Sequence, residues 1–242
     1  TFPLSHPFFF IYTLLVYSTP IDEQSRTEKE PFEPVAVQLA EYEENDKRVH
    51  IIPVYDGYTW THGLNVGLNA IRQNTVRRIQ GKPTYDFIFP NSTETEFTKN
   101  HLNAMLKEFE NPEVVMVGTT FAGKTPDGTP VSLGNSYNNP RNTGLLIRTA
   151  LFDEHLFRSG WDPYTDKIGG QEDYHMKLTI EIFTSLQMVM LDLKVPLIVG
   201  VNYDQTKKER DEQLAMQKIN DRMKGWSTQI RLMFGMIEFP KS

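Results

Sequence analysis

The sequence predicts an α/β protein with a mostly parallel sheet flanked by helices. Short apolar runs typical of buried strands alternate along the chain with segments of helical periodicity, and this alternation favours parallel strands joined by helices. The chain has 242 residues, of which 39% are hydrophobic and 23% are charged. A chain of this length can bury a substantial core. We predict a single domain over 1–242, with a core at about 7–204 and a helical tail at about 205–242.

The composition excludes or disfavours several classes of function. The formal net charge is -6, whereas general nucleic-acid binders carry a basic surplus, so no nucleic-acid partner is expected. The chain contains no cysteine, which excludes disulfides, thiolate metal sites and cysteine nucleophiles. The apolar run at 7–17 is too short for a membrane span and lacks the flanks of a signal peptide. The absence of cysteine and of a signal peptide favours the cytoplasm, although the compartment stays open.

The first part of the chain predicts two strands and a helix. The apolar run at 7–17 is typical of a buried parallel strand, and 49–55 is a second apolar run. Pro53 lacks a backbone donor, so it indicates an edge position or the end of that strand. Leu64, Leu68 and Ile71 recur at helical spacing, which predicts a helix over 61–71 with these side chains inward.

The remaining elements follow from the same patterns. We predict strands at 85–89, 114–117 and 142–148, helices at 101–109 and about 150–157, and a turn-rich loop at 121–139. Two apolar runs at 188–193 and 195–201 are separated by Lys194 and Pro196. A charged, exposed helix with sparse apolar positions is predicted at 208–224.

The stretch 161–178 (WDPYTDKIGGQEDYHMKL) organises the prediction of function. Gly169 and Gly170 precede the adjacent carboxylates Glu172 and Asp173, and a helical pattern starts at once. Acidic groups near a helix N-terminus are stabilised by the dipole and kept ionised, as a general base requires. The pattern therefore fits a loop that delivers a carboxylate to a ligand. An ordinary helix start with an acidic first turn explains the same spacing.

Three stretches in order resemble glycosyltransferases of the GT-A fold, near the inverting family-2 type and its galactosyltransferase relatives. They are THGLNVGLNAI at 61–71, YDFIFPNSTETE at 85–96 and NTGLLIRTALFDEHLFRSGWDPYTDKIGGQEDYHMKL at 142–178. The third is the specific one, since it is similar to a strand followed by the GGxED motif and a helix. The resemblance implies a GT-A-like, Rossmann-like nucleotide-sugar-binding fold.

The resemblance also implies a reaction. A sugar would move with inversion from a nucleotide diphosphate-sugar, such as a UDP-sugar, to an acceptor hydroxyl of a saccharide or glycoconjugate. Asp173 matches the general base, and Glu172 matches the neighbour that orients sugar or acceptor. Trp161 precedes the acidic loop and is a candidate for stacking on a sugar ring, with Gly169 and Gly170 beside it.

The donor side departs from the family. The nucleotide would lie against the loops after the first two strands, which contain the candidate residues Ser18, Thr19, Pro20 and Asp56. The family's DxD motif, which holds Mn²⁺ or Mg²⁺, corresponds here to Asn91-Ser92-Thr93. Asn91 and Thr93 are neutral oxygen donors and poor sole ligands for a hard dication, whereas Glu94 and Glu96 just beyond could replace the aspartates. Metal dependence, metal independence and a degenerate domain without activity all stay open.

Other functions compete with transfer. A catalytically silent GT-A-like domain that binds a glycan or a protein partner is favoured by the missing DxD and disfavoured by Glu172 and Asp173. A nucleotidyltransferase ranks third, because 18–31 lacks the glycine-rich loop that such enzymes place after the first strand. A serine hydrolase is disfavoured because the chain has no G-x-S-x-G motif.

Overall fold

The structure is a computed structural model whose residues form two compact units, Thr1–Val76 and Arg77–Ser242. The residues that the structure describes are 13–18, 41, 44–45, 49–54, 59–72, 78–79, 82–83, 85–91, 99–124, 130–131, 137–138, 140, 144–153, 155–168, 170–198 and 205–233. The sequence predicted a single domain over 1–242. That the two units belong to one domain stays a prediction.

The first unit contains a parallel strand pair. Strands β1 (Thr13–Ser18) and β2 (Val49–Val54) run in register, from Thr13 opposite Val49 to Ser18 opposite Val54. The parallel pairing agrees with the prediction for the first apolar run, although 7–12 lie outside the described residues. Pro53 lies one residue before the end of β2, where the sequence predicted that its missing donor is tolerated.

Helix α1 (Trp60–Arg72) follows β2 and packs against β1. Thr59 caps it, because its hydroxyl oxygen accepts a hydrogen bond from the His62 backbone N–H at 3.2 Å. The buried positions include Leu68, as predicted, together with Gly63 and Gly67 one turn apart. Leu64 and Ile71 are only half-buried.

The second unit is built on a five-stranded sheet. A short antiparallel pair, β3 (Arg78–Ile79) and β4 (Lys82–Pro83), precedes it. The strands of the sheet are β5 (Phe87–Ile88), β6 (Val114–Lys124), β7 (Pro130–Val131), β8 (Leu145–Arg148) and β9 (Gln187–Ile198). The order is β5-β8-β6, with β7 on the last residues of β6 and β9 along its other edge.

This sheet is mixed, whereas the sequence predicted a mostly parallel one. Strand β9 runs parallel to β6, but β8 is antiparallel to both β5 and β6, and β7 is antiparallel to β6. Parallel neighbours need a long crossover, usually helical, whereas antiparallel strands need only a turn. The turn-rich sequence between β6 and β8 therefore suits the antiparallel return. At the level of fold class, the described residues form an α/β protein.

Strand β9 is continuous, whereas the sequence predicted two runs separated by Lys194 and Pro196. The ladder with β6 contains a register shift between Thr119 and Phe121, where β9 accommodates extra residues. Among the described strands β9 pairs only with β6, so one of its edges lacks a ladder in this part of the structure. A proline is tolerated at such an edge because no partner needs its missing N–H.

Helix α2 (Lys99–Glu108) covers the sheet and forms the first core cluster. Met105 and Phe109 pack there with Val114 and Val117 of β6 and Leu146 of β8. Met105 and Phe109 belong to the stretch 101–109 that the sequence predicted as a helix. Two short 3₁₀ segments, Thr149–Asp153 and His155–Phe157, follow β8 in the region where a short helix was predicted.

Three further helices form the second cluster. They are α3 (Tyr164–Ile168), α4 (Glu172–Phe183) and α5 (Gln205–Met233). Tyr174 of α4 packs against Ile219 and Met223 of α5. The sequence predicted α5 as an exposed charged helix, but Ala215, Ile219 and Met223 are spaced four apart and are at most 1% exposed. In the segments that the structure describes, no helix has the length and apolar character needed to cross a membrane.

Candidate functional site

The acidic pair lies at the start of α4, after a sharp turn. Asp162 begins the segment, where its carboxylate accepts a hydrogen bond from the Tyr164 N–H at 2.9 Å and starts α3. Gly170 closes α3 by donating its N–H to the Thr165 carbonyl at 2.8 Å. Gly170 and Gln171 then adopt positive φ values of 102° and 74°. These two left-handed residues lead the chain directly into α4.

Both carboxylates of the pair are buried in the first turn of α4. Glu172 is 6% exposed and Asp173 is 5% exposed. The Tyr174 backbone N–H donates to Asp173 Oδ1 at 2.8 Å. Gln171 supplies no side-chain cap, so the acidic side chains of the first turn are the groups that complement the positive end of the helix dipole.

A cavity of about 260 Å³ lies along one face of α4. Glu172, His175 and Met176 contribute to its wall, and Thr179 and Phe183 continue the same face. Their spacing of three and four residues is that of neighbours on a helix surface. The opposite wall is formed by the chain between Leu156 and Asp162 and by Trp226 of α5.

The two members of the acidic pair differ in their relation to this cavity. Glu172 is part of the wall, whereas Asp173 is not among the residues that line it. Adjacent residues of an α-helix point about 100° apart, which accounts for the difference. The role of Asp173 as general base stays a prediction, and Glu172 is the member of the acidic pair that lines the cavity.

Trp161 lines the cavity and also belongs to the core. It is 2% exposed, and its ring lies 4.8 Å from the Phe152 ring centroid at an interplanar angle of 47°. The sequence predicted that Trp161 stacks on a sugar ring. That stacking stays a prediction, and with so little accessible surface Trp161 contributes mainly to the shape of the wall. Trp226 is the more accessible tryptophan of the cavity, at 36%.

His175 is a site residue that the sequence analysis missed. It is 8% exposed, and its Nε2 has no hydrogen-bond partner among the described residues. Nε2 lies 3.8 Å from Asp162 Oδ2, and its ring lies edge-on to Trp226 at 6.3 Å. Burial lowers the pKa of His175 below 6.5, the Asp162 carboxylate raises it in part, and the Arg222 guanidinium lowers it further.

Arg222 links α5 to this group of residues. Its guanidinium lies between the rings of Tyr164 and Trp226, at 4.2 and 4.3 Å from their centroids. One of its terminal nitrogens lies 2.9 Å from Asp162 Oδ2, close enough for an ion pair although not aligned as a hydrogen bond. Arg222 and Trp226 are four residues apart, the spacing of neighbours on one helix face. That spacing was the available sequence signal, and it lies within the predicted helical tail at about 205–242.

The other predicted site residues lie elsewhere or outside the described chain. Ser18 is the last residue of β1 and pairs with Val54, so the chain leaves β1 and β2 at the same edge. Asn91 is exposed. Gly170 provides the turn before α4. Thr19, Pro20, Asp56, Thr93, Glu94, Glu96 and Gly169 lie outside the described residues.

Metal ligands were predicted at Asn91, Thr93, Glu94 and Glu96. Of these, Asn91 alone is described, and its amide oxygen is a neutral donor that suits a dication only beside carboxylates. Within the described ranges no three or more histidine, aspartate and glutamate side chains cluster in a way that would hold a metal ion. The metal site therefore stays a prediction from the sequence.

No protein-family model matches the chain, and no curated protein matches it.

Proposed function

We propose that the protein is an inverting glycosyltransferase that moves a sugar from a nucleotide diphosphate-sugar to an acceptor hydroxyl. The observation that carries the proposal is the acidic pair in the first turn of α4, with Glu172 in the wall of a cavity that also contains two tryptophans. Carboxylates serve as general bases, and aromatic side chains offer apolar faces to sugar rings. The resemblance of 142–178 to the GGxED region of GT-A enzymes supports the same reading.

The reaction needs a base on the acceptor side. The acceptor oxygen attacks the anomeric carbon while the bond from that carbon to the diphosphate oxygen breaks, so the configuration inverts. The acceptor hydroxyl gives its proton to a carboxylate, and the leaving diphosphate keeps the bonding electron pair. A positioned general base contributes about 10²–10⁴-fold to such a step. We assign this role to Asp173, as the resemblance implies, and assign Glu172 to orienting the acceptor.

The donor is assigned to the ends of β1 and β2. In parallel sheets ligands bind beyond the carboxyl ends of the strands, and β1 and β2 end in register. We propose that Ser18, Thr19, Pro20 and Asp56 contact the base and ribose. We assign the diphosphate to the segment around Asn91 and Thr93. A divalent cation held there by Glu94 and Glu96 would neutralise negative charge on the leaving group.

A catalytically silent glycan-binding domain is the second candidate. The neutral Asn91-Ser92-Thr93 in place of two aspartates favours it, because the family's metal-binding carboxylates are missing from their usual position. The two candidates differ in whether a sugar leaves its nucleotide.

A transfer assay tests the proposal. The wild type is incubated with UDP-hexoses and simple glycoside acceptors, and released UDP and glycoside product are both measured. We expect Asp173→Asn to lower kcat by about 10²–10⁴-fold while UDP binding and the thermal unfolding midpoint are retained. Asp153→Asn is the matched control, because Asp153 is exposed and is not among the residues that line the cavity.

Three results would change the assignment. Full turnover by Asp173→Asn with loss of turnover by Glu172→Gln would move the base to Glu172. Full turnover by both variants would remove the acidic pair from the mechanism. A wild type that binds a glycoside but releases no UDP from any donor would identify the silent binding domain.

A further inference from the structure

The α4 cavity combines apolar and polar walls. Phe157, Met176 and Trp226 supply apolar surface, and Asp162, Glu172 and His175 supply polar groups. Ligand sites are concave, mostly apolar and furnished with a few polar groups that fix orientation. Sugar rings have this mixed character, because their C–H faces pack on aromatic rings while their hydroxyls need hydrogen bonds.

We propose that this cavity binds one neutral pyranose ring, with His175 as a hydrogen-bonding partner of a ring hydroxyl and Trp226 as an apolar wall. The proposal rests on the proposed function in one respect, since it takes the ring to be that of the acceptor. It assigns the acceptor's chemical class and adds two residues to the acceptor side.

The size of the cavity limits the ligand to about one ring. The cavity has a volume of about 260 Å³. Sites for drug-sized molecules start at about 300 Å³. A single monosaccharide ring suits this space. The further rings of a longer saccharide would extend through the mouth, where Leu156 and Trp226 are 45% and 36% exposed.

The unpartnered nitrogen of His175 indicates a hydroxyl. Buried polar atoms are normally hydrogen-bonded, and Nε2 lacks a partner among the described residues. Nε2 lies 3.8 Å from Oδ2 of Asp162, which is another residue of the cavity wall. This distance is too long for a direct hydrogen bond. A sugar hydroxyl both donates and accepts, so it pairs with Nε2 in either tautomer of the ring.

The charge of the wall selects against anions. The described residues that line the cavity include two carboxylates, Asp162 and Glu172, and no lysine or arginine. His175 is neutral at pH 7, because burial lowers its pKa. Arg222 approaches Asp162 from α5 but is not part of the wall. A uronic acid or a diphosphate would therefore be repelled, whereas a neutral hexose would not.

Binding titrations without any donor test this inference. Methyl β-glucopyranoside, methyl β-galactopyranoside and methyl β-glucopyranosiduronate are each titrated into the protein. Tryptophan fluorescence and saturation-transfer NMR are recorded. We expect saturable binding of at least one neutral glycoside, and a Kd for the uronate at least about tenfold higher.

Variants of two residues of the cavity wall, compared with a control outside the cavity, test whether the wall contacts the glycoside. His175→Phe keeps a ring of similar size and removes Nε2, and we expect it to raise the glycoside Kd about two- to tenfold. Trp226→Leu should weaken binding by a similar factor through loss of aromatic contact. His62→Phe is the matched control, because His62 is an exposed residue of α1, and it should leave the Kd unchanged. Thermal unfolding midpoints show that each variant is folded.

The inference is overturned if neither neutral glycoside binds saturably, if both His175→Phe and Trp226→Leu bind with the wild-type Kd, or if the uronate binds equally well. Because no donor is present, absence of transfer activity leaves this test intact. Transfer that persists without glycoside binding in the cavity would overturn the inference and keep the proposed function.

Discussion

His175 lies in a buried environment that opposes its protonation. Its pKa is lowered first by burial, then raised in part by Asp162 and lowered again by Arg222. Asp162 also forms the 2.9 Å ion pair with Arg222, so these two opposite charges act on His175 together and burial remains the largest cause of the shift. The folded protein therefore holds His175 in its neutral form more strongly than the unfolded chain does.

This difference predicts a pH dependence of stability. The unfolded chain binds a proton at His175 near pH 6.5, while the folded chain binds it only at lower pH. The contribution to the free energy of unfolding is thus complete above about pH 6.5 and is lost as the pH falls toward the folded pKa. We expect the wild type to lose stability relative to His175→Phe as the pH falls below about 6.5, measured by urea unfolding.

The control for this measurement is His62→Phe, because His62 is an exposed histidine that does not line the cavity. Parallel curves for the wild type and His175→Phe would contradict the assignment of a lowered pKa to His175.

Sequence reasoning identified some site residues and missed others for a physical reason. Glu172 and Asp173 were found because glycines, acids and helical periodicity occur together within a few residues. His175 carries no such local pattern, since a single histidine on a helix is usually a packed core residue. Its environment depends on Asp162 and on Arg222, which lies 47 positions along the chain, and only the fold brings these together.

At the level of elements, the turn before α4 depends on the left-handed conformation of Gly170. A Cβ at this position would meet only Glu172 Oε2, at 3.9 Å, so the backbone conformation and not space is the obstacle to a side chain. We expect Gly170→Ala to lower the free energy of unfolding by about 1–2 kcal/mol, measured by urea unfolding. The change would also shift Glu172 within the cavity wall.

Gly225→Ala provides the matched comparison for Gly170→Ala. Gly225 lies inside α5, has no atom within 4 Å of an added Cβ, and has a φ outside the left-handed region. Alanine should stabilise the helix there by about 0.5–1 kcal/mol. Equal effects of the two substitutions would contradict the role given to the turn.

The elements themselves were mostly predictable, and their pairing was not. Runs such as Val114–Val117 predicted strands from local composition, and the start of α4 was predicted from its periodicity. The direction of β8 depends on its partners β5 and β6, which no local pattern encodes. Pro196 was interpreted as a break because the sequence does not reveal that β9 pairs only with β6 among the described strands.

For the molecule as a whole, the donor assignment leads to a test of the metal. We expect Mn²⁺ to tighten UDP binding by at least about tenfold, measured by isothermal titration, because a dication neutralises the diphosphate. Glu94→Gln combined with Glu96→Gln should remove this increment and keep metal-free binding. Glu110→Gln should behave as the wild type, since Glu110 is exposed after α2. UDP binding that does not change with Mn²⁺ would contradict the metal site, and cationic side chains would then have to neutralise the phosphates.

Helix α5 sets the shortest fragment that keeps the cavity intact. Cutting the chain before Gln205 would remove Trp226 from the mouth, leave Asp162 without its guanidinium and present the ring of Tyr174 to water. A fragment used for crystallisation or ligand screening should therefore extend past Trp226, even though the sequence at 208–224 predicts only a charged, exposed helix with sparse apolar positions.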